Sequence, residues 1–142
     1  MPKWNRLTWV VCAVVAISVY FSVGLWLKYS YVEPPRPAGE IFRLTRPFLK
    51  LEDSALAYAA KAPSFDGLSD TPEAPRRSPF MLFENTLPLG PAHTEHDEIR
   101  KYGHGRFSHW NGAGFVFSSS DGTSPASNGR TYWAVIPPSP AE

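Results

Sequence analysis

Residues 7–27, opening at Leu7 and closing at Leu27, form an unbroken apolar run, LTWVVCAVVAISVYFSVGLWL, with no charge in 21 positions. The run is apolar on every face, so it lacks the stripe of a helix that packs on a soluble core. At 1.5 Å per residue such a helix spans about 30 Å, the thickness of the hydrocarbon layer. Trp4 and Trp9 stand at one end, and Trp26, Tyr29 and Tyr31 at the other. Ring side chains collect in this way at two water–lipid boundaries. Lys3, Arg6 and Lys28 close the run with charges. A cleaved signal peptide has a shorter apolar region, about 7–15 residues, and a small-x-small cleavage site. Here the best small pair, Ser22 and Gly24, is followed by Leu-Trp-Leu. The pattern predicts a short tail (1–6) and one transmembrane helix (7–27) that holds the chain in a lipid bilayer.

The periodicity then changes. Residues 28–39 read as a linker, with EPPRPAG at 33–39; three prolines fix φ and remove donors, which makes a stiff, extended spacer. Residues 40–137 carry short apolar runs divided by turn residues, the pattern of a β-rich globular domain, and 138–142 read as a flexible tail. Residues 40–51, interrupted by Pro47, suit two short extended pieces. Residues 51–62 fit either helix or strand, with Leu56-Ala-Tyr58 as the candidate strand. Residues 63–79 are loop-like, broken by Pro63, Gly67, Pro72, Pro75 and Pro79. FMLFE at 80–84 predicts a strand that turns and pairs back through Leu87 and Leu89. Thr94-x-x-Asp97 resembles a capping box and Gly103 a stop, so a short helix is expected over 95–102. Residues 106–110 and 115–119 flank Asn111-Gly-Ala-Gly114, a hairpin. A polar loop at 121–130 precedes a last strand, TYWAVI, at 131–136. The expected fold is one transmembrane helix plus a small β-rich α+β domain, a meander or sandwich with one short helix.

Charge narrows the partners. From Lys28 onward twelve basic side chains face thirteen acidic ones, a balance of −1. Nucleic-acid binding needs a basic excess, so no nucleic-acid partner is expected. Cys12 is the single cysteine and lies in the apolar run, so no disulfide forms within the chain. The charges around the helix conflict over orientation: Lys3 and Arg6 favour an inside N-terminus, while Lys28, Arg36, Arg43 and Arg46 oppose it. A first apolar helix behind a tail of six residues acts as a signal anchor. The expectation is a single-pass protein of the inner (cytoplasmic) membrane with its C-terminal domain extracytoplasmic.

All four histidines fall in one window: His93, His96, His104 and His109. His93, His96 and His109 are a candidate zinc set, with Asp97 or Glu95 to complete a tetrahedron. Against this, the HExxH order is absent, and capping or surface hydrogen bonding accounts for the same residues. Ser108 and His109 are neighbours on a predicted strand, point to opposite faces, and so cannot act as nucleophile and base together. The glycine pairs 103/105 and 112/114 do not open a dinucleotide unit, and no cofactor is expected. The loop at 121–130 is the most suggestive stretch. Trp110, Asp121, Asn128, Arg130, Tyr132 and Trp133 combine rings with amide, carboxylate and guanidinium groups, which suits polyol recognition. An ordinary hairpin loop over a Trp-containing core has the same composition.

The series Leu82-Phe-Glu-Asn85, Leu89-Gly-Pro91, His93-x-x-His96, Ile99-Arg100, Gly105-Arg-Phe-Ser-His-Trp110, Phe117-Ser-Ser-Ser-Asp121 and Asn128-Gly-Arg-x-Tyr132 resembles a small bacterial domain of uncharacterised activity. That domain accompanies proteins of cell-surface sugar and polysaccharide modification. The resemblance covers about residues 79–137 and implies a bacterial envelope setting; it assigns no catalytic residue. Together these features favour a membrane-tethered binding or accessory module that contacts glycan or a glycan-processing partner, rather than an enzyme. The alternatives are a metal-dependent enzyme built on the histidine cluster and a small structural subunit whose helix packs into a larger membrane complex.

Overall fold

The computed structural model describes residues 5–31 and 37–138. Lys3, Trp4, most of the 33–39 spacer and the end of the tail lie outside the described residues. The chain divides into an N-terminal helical unit and a C-terminal β-rich unit.

The N-terminal unit is one helix, α1 (Arg6–Ser30). Asn5 caps it: its side-chain oxygen accepts from Thr8 N–H at 2.9 Å and from Thr8 Oγ1 at 2.7 Å. This satisfies a donor that the first turn leaves unpaired. Inside the helix Ser18 returns its hydroxyl to the Val14 carbonyl at 2.9 Å, so that polar group is also satisfied. No residue of α1 is buried. Among the described residues it is the one helix long and apolar enough to cross a membrane.

Among the described residues, the C-terminal unit has eight strands in two antiparallel sheets. Residues 40–51 do form two extended pieces, β1 (Glu40–Arg43) and β2 (Leu49–Lys50). The ambiguous stretch resolves as β3 (Tyr58–Ala60). Pro63–Leu68, expected as loop, is a 3₁₀ helix with proline in its first turn. β4 (Met81–Glu84) and β5 (Leu87–Pro88) form the first hairpin, β6 (Phe107–Trp110) and β7 (Gly114–Phe117) the second, and β8 (Tyr132–Ile136) is last. The first sheet runs β1-β8-β4-β5 and the second β2-β3-β7-β6.

Alternation along each strand fixes the layers. Leu82 of β4 and Tyr132 and Ala134 of β8 face Tyr58 and Ala60 of β3, Phe107 of β6, and Phe115 and Phe117 of β7 in one core. Rings fill it edge to face: Phe48 lies 5.3 Å from Phe117 and 5.6 Å from Tyr132, between centroids. Gly114 is required where β7 meets β3, because its φ is +77° and a Cβ there would collide with the Ala60 carbonyl oxygen.

The short helix, α2 (His96–Tyr102), covers the outer face of the second sheet, where Ile99 joins Ala57 and Val116 in a small separate cluster. The capping box expected at Thr94 does not form. Glu95 is the N-cap, and no side chain caps the helix. Thr94 is spent elsewhere: its hydroxyl donates to the Pro91 carbonyl at 2.8 Å and its N–H to Phe107 O at 3.0 Å. Docking of the preceding segment onto β6 outweighs local capping.

Candidate functional site

β6 is the edge of the second sheet, and two short segments close its open side. Phe107 N–H donates to Pro91 O at 3.2 Å, and Thr94 N–H donates to Phe107 O at 3.0 Å. Further along, Asp70 N–H donates to His109 O at 2.8 Å, and Asn111 N–H donates to Asp70 O at 3.1 Å. Between these two attachments lies Ser108. Alternation sends Phe107 and His109 into the core and Ser108 and Trp110 to the outer face. Asp70 is bridged in parallel to Trp110, which puts its side chain on that outer face too.

Here the chain forms a cleft of about 410 Å³, walled by Trp110, the start of α2, His93 and the 70–76 segment. Its volume is that of a small-molecule site. At its base the fully buried Asp70 carboxylate takes two hydrogen bonds: Ser78 N–H at 2.8 Å on one oxygen and His93 Nδ1 at 2.8 Å on the other. Because a carboxylate accepts, Nδ1 of His93 donates, and Nε2 is the ring nitrogen left over. His93 itself is left-handed, with φ +55°. A non-glycine residue held there carries local strain, which folds retain where a side chain must be aimed.

The remaining groups vary in how far they are committed. The hydroxyl of Ser108 is shut beneath the cleft wall and has no hydrogen-bond partner among the described residues; the same holds for Nε2 of His96. Burial pushes the His96 imidazole below the ordinary histidine range, and the Arg100 guanidinium adds to the effect. Its ring meets Trp110 edge-on at 6.4 Å. Arg76 and Glu95 line the cleft as exposed cation and anion.

The expected zinc set does not assemble. His109 lies on the opposite side of β6 from His93, stacked on Phe115 at 4.2 Å and sharing a hydrogen bond with Ser78 Oγ at 2.9 Å. Nδ1 of His93 is taken by Asp70. Among the described residues no three His, Cys, Asp or Glu side chains are placed to hold a metal ion. Burial also holds His109 below the ordinary histidine range.

The polar loop brings together four of the six residues picked out for polyol recognition, around the Glu84 carboxylate. Glu84, nearly buried, accepts from Tyr132 OH at 2.6 Å and from Ser120 Oγ, and pairs with Arg130 Nη1 at 3.2 Å. Arg130 Nη2 reaches Asp121 at 2.6 Å, and Asn128 Nδ2 donates to Tyr132 OH at 2.8 Å. Arg130 and Thr123 hold the Asp121 carboxyl well below the usual range, while burial and then Glu84 push the Tyr132 phenol up. These groups spend their hydrogen bonds on one another, and the cluster clasps the loop onto the first sheet. Trp110 is not with them: it is in the cleft on the second sheet. Trp133 faces away from the core that Tyr132 enters.

Sequence reasoning missed Asp70 as the partner of His93 and did not place that pair in one cleft with Trp110. Asp70 sits in a proline-rich stretch read as loop, 23 positions before its partner, and no local pattern links them. The one available signal was the alternation that puts Ser108 and Trp110 on a common face. In comparisons with known proteins, no family model, no curated protein and no solved structure matches this chain.

Proposed function

We propose that the chain is a membrane-tethered binding module of the bacterial cell envelope, anchored uncleaved in the inner membrane with its C-terminal unit outside, and that it takes a glycan or other polyol in the cleft over β6. The anchor reading is supported by the length and uniform apolarity of α1. The carrying observation is the composition of the cleft. A partly exposed indole, Trp110, stands beside groups with hydrogen-bonding capacity to spare: the Arg76 guanidinium, the Glu95 carboxylate and Nε2 of His93. Indole faces stack on the C–H face of a sugar ring, while donors and acceptors on either side bond its hydroxyls. The loop clasp has the right residue types, but its donors and acceptors are already paired.

The test is calorimetric titration of the full chain in detergent micelles with a panel of envelope oligosaccharides. Binding is expected to weaken at least about tenfold in Trp110→Ala, the loss typical of a ring at the centre of a contact. Binding that survives Trp110→Ala and disappears in Arg130→Ala would move the site to the 121–130 loop. No binding across the panel would count against the polyol reading. Carbonate extraction of membranes tests the anchor: the mature chain stays in the pellet at full length.

A further inference from the structure

The Asp70–His93 pair goes beyond what holding a ligand requires. A hydrogen-bonding residue in a binding site needs no buried carboxylate behind it. Here a carboxylate with no exposed surface is fixed through its backbone to β6 and through its other oxygen to Ser78 N–H, and it holds Nδ1 of a strained residue at 2.8 Å. Such an arrangement sets the tautomer, aims the ring and stabilises the imidazolium that forms when Nε2 takes a proton.

We propose that this dyad is a general-base site that hydrolyses carboxylic esters carried on the polyol ligand. His93 is the catalytic base and Asp70 the positioning residue. The choice of a polyol ester rests on the reading of the cleft given above; the role of the dyad does not. A water held against Nε2 of His93 attacks the acyl carbon as its proton passes to Nε2. The tetrahedral intermediate collapses, the C–O bond to the polyol breaks, and Nε2–H returns the proton to the departing alcohol. The products are a carboxylic acid and the free hydroxyl, and His93 is regenerated. Cleavage of a glycosidic bond needs two carboxyl groups flanking it; of the three carboxylates that line this cleft, Asp70 is committed to His93 and Asp97 to Arg100, which leaves Glu95 alone. Ester hydrolysis needs only a base that hands its proton back. Ser108 is left out of the proton transfer because its hydroxyl is buried beneath the cleft wall and bonded to nothing described.

The experiment is acetate release from an O-acetylated oligosaccharide by the full chain in detergent micelles, with binding of the deacetylated oligosaccharide measured alongside. His93→Asn is the central variant, since asparagine tolerates the left-handed backbone. Acetate release is expected to fall by about a hundredfold or more, the usual contribution of a positioned base, while the chain still folds and binding of the deacetylated oligosaccharide weakens by no more than about tenfold. Asp70→Asn is expected to lower kcat while leaving KM in place and to displace the pH–rate profile, which a merely structural role would not do. Ser108→Ala is expected to keep its turnover. Binding of the oligosaccharide without acetate release by the wild-type chain overturns the proposal and leaves the polyol reading standing. His93-dependent hydrolysis of p-nitrophenyl acetate without oligosaccharide binding keeps the dyad and removes the polyol. Loss of turnover in Ser108→Ala, with a fluorophosphonate probe attached at Ser108, overturns the water-based step.

Discussion

Tyr132 gives its hydroxyl hydrogen to Oε1 of Glu84 at 2.6 Å, joining two residues 48 positions apart at the margin of the core. The two are directly opposed on β8 and β4, so the pair holds the last strand and the preceding loop in register. Tyr132→Phe leaves the ring in its packing and removes one donor from a nearly buried carboxylate. We expect a loss of about 1–3 kcal/mol in urea unfolding, the cost of an unsatisfied buried group. An unchanged midpoint would mean that Arg130 and Ser120 satisfy Glu84 without it.

Ile99 is the buried contact between α2 and the second sheet. Ile99→Ala should cost about 2–5 kcal/mol, as for other deletions of fully buried aliphatic groups. Because α2 forms one wall of the cleft, the oligosaccharide binding proposed there should weaken with it. Thermal melting and titration of the same sample separate the two effects: unaltered affinity at lower stability would show that the wall does not depend on this contact.

Gly114 admits no side chain. In Gly114→Ala the new Cβ meets the Ala60 carbonyl on the paired strand, and the left-handed backbone adds roughly 1–3 kcal/mol of strain. The expected outcome is an unfolded or strongly destabilised C-terminal unit, read by near-ultraviolet circular dichroism. A native spectrum would mean that β3 and β7 can part at this end without loss.

Stability should decline in mild acid. His96 and His109 are both held below the ordinary histidine value of 6.5, chiefly by burial. As pH falls through about 6.5 the unfolded chain takes up protons that the folded chain refuses. Stability is therefore complete above that range and drops below it, until the lowered folded values are passed. Melting temperatures from pH 8 to pH 5 check the direction, and His109→Phe should flatten the decline. A slope identical to wild type in that variant would assign the effect to His96.

How far the sequence reveals this arrangement depends on range. The apolar run of α1, the β6–β7 hairpin and the final strand are written in contiguous residues, and each appears within a few positions of its predicted place. Features that depend on distant chain do not read that way. Thr94 has the sequence of a cap, yet it bonds Pro91 and Phe107 because the segment before α2 is docked onto β6. The histidines cluster in sequence but are divided by a strand: His93 and His96 on one side, His109 on the other. The loop residues do converge, around Glu84, whose role depends on a strand pairing that no local pattern encodes. Asp70 was invisible for the same reason, since its meaning comes from β6 and His93 rather than from its neighbours.

The closure of β6 has a consequence for crowding. Chains tethered to a surface meet one another at high local density, where an open sheet margin invites strand-by-strand accretion. Here the Phe107 N–H, the Phe107 carbonyl and the His109 carbonyl, which face outward from β6, are already engaged by residues 91, 94 and 70. Of the other three margins, β1 has four residues, while β2 and β5 have two each, and β5 contains Pro88, which has no donor to offer. The same two segments that carry Asp70 and His93 to the cleft thus deny a neighbouring copy its longest foothold on the second sheet. A change that loosens either segment would be expected to show itself first as clustering of the chains.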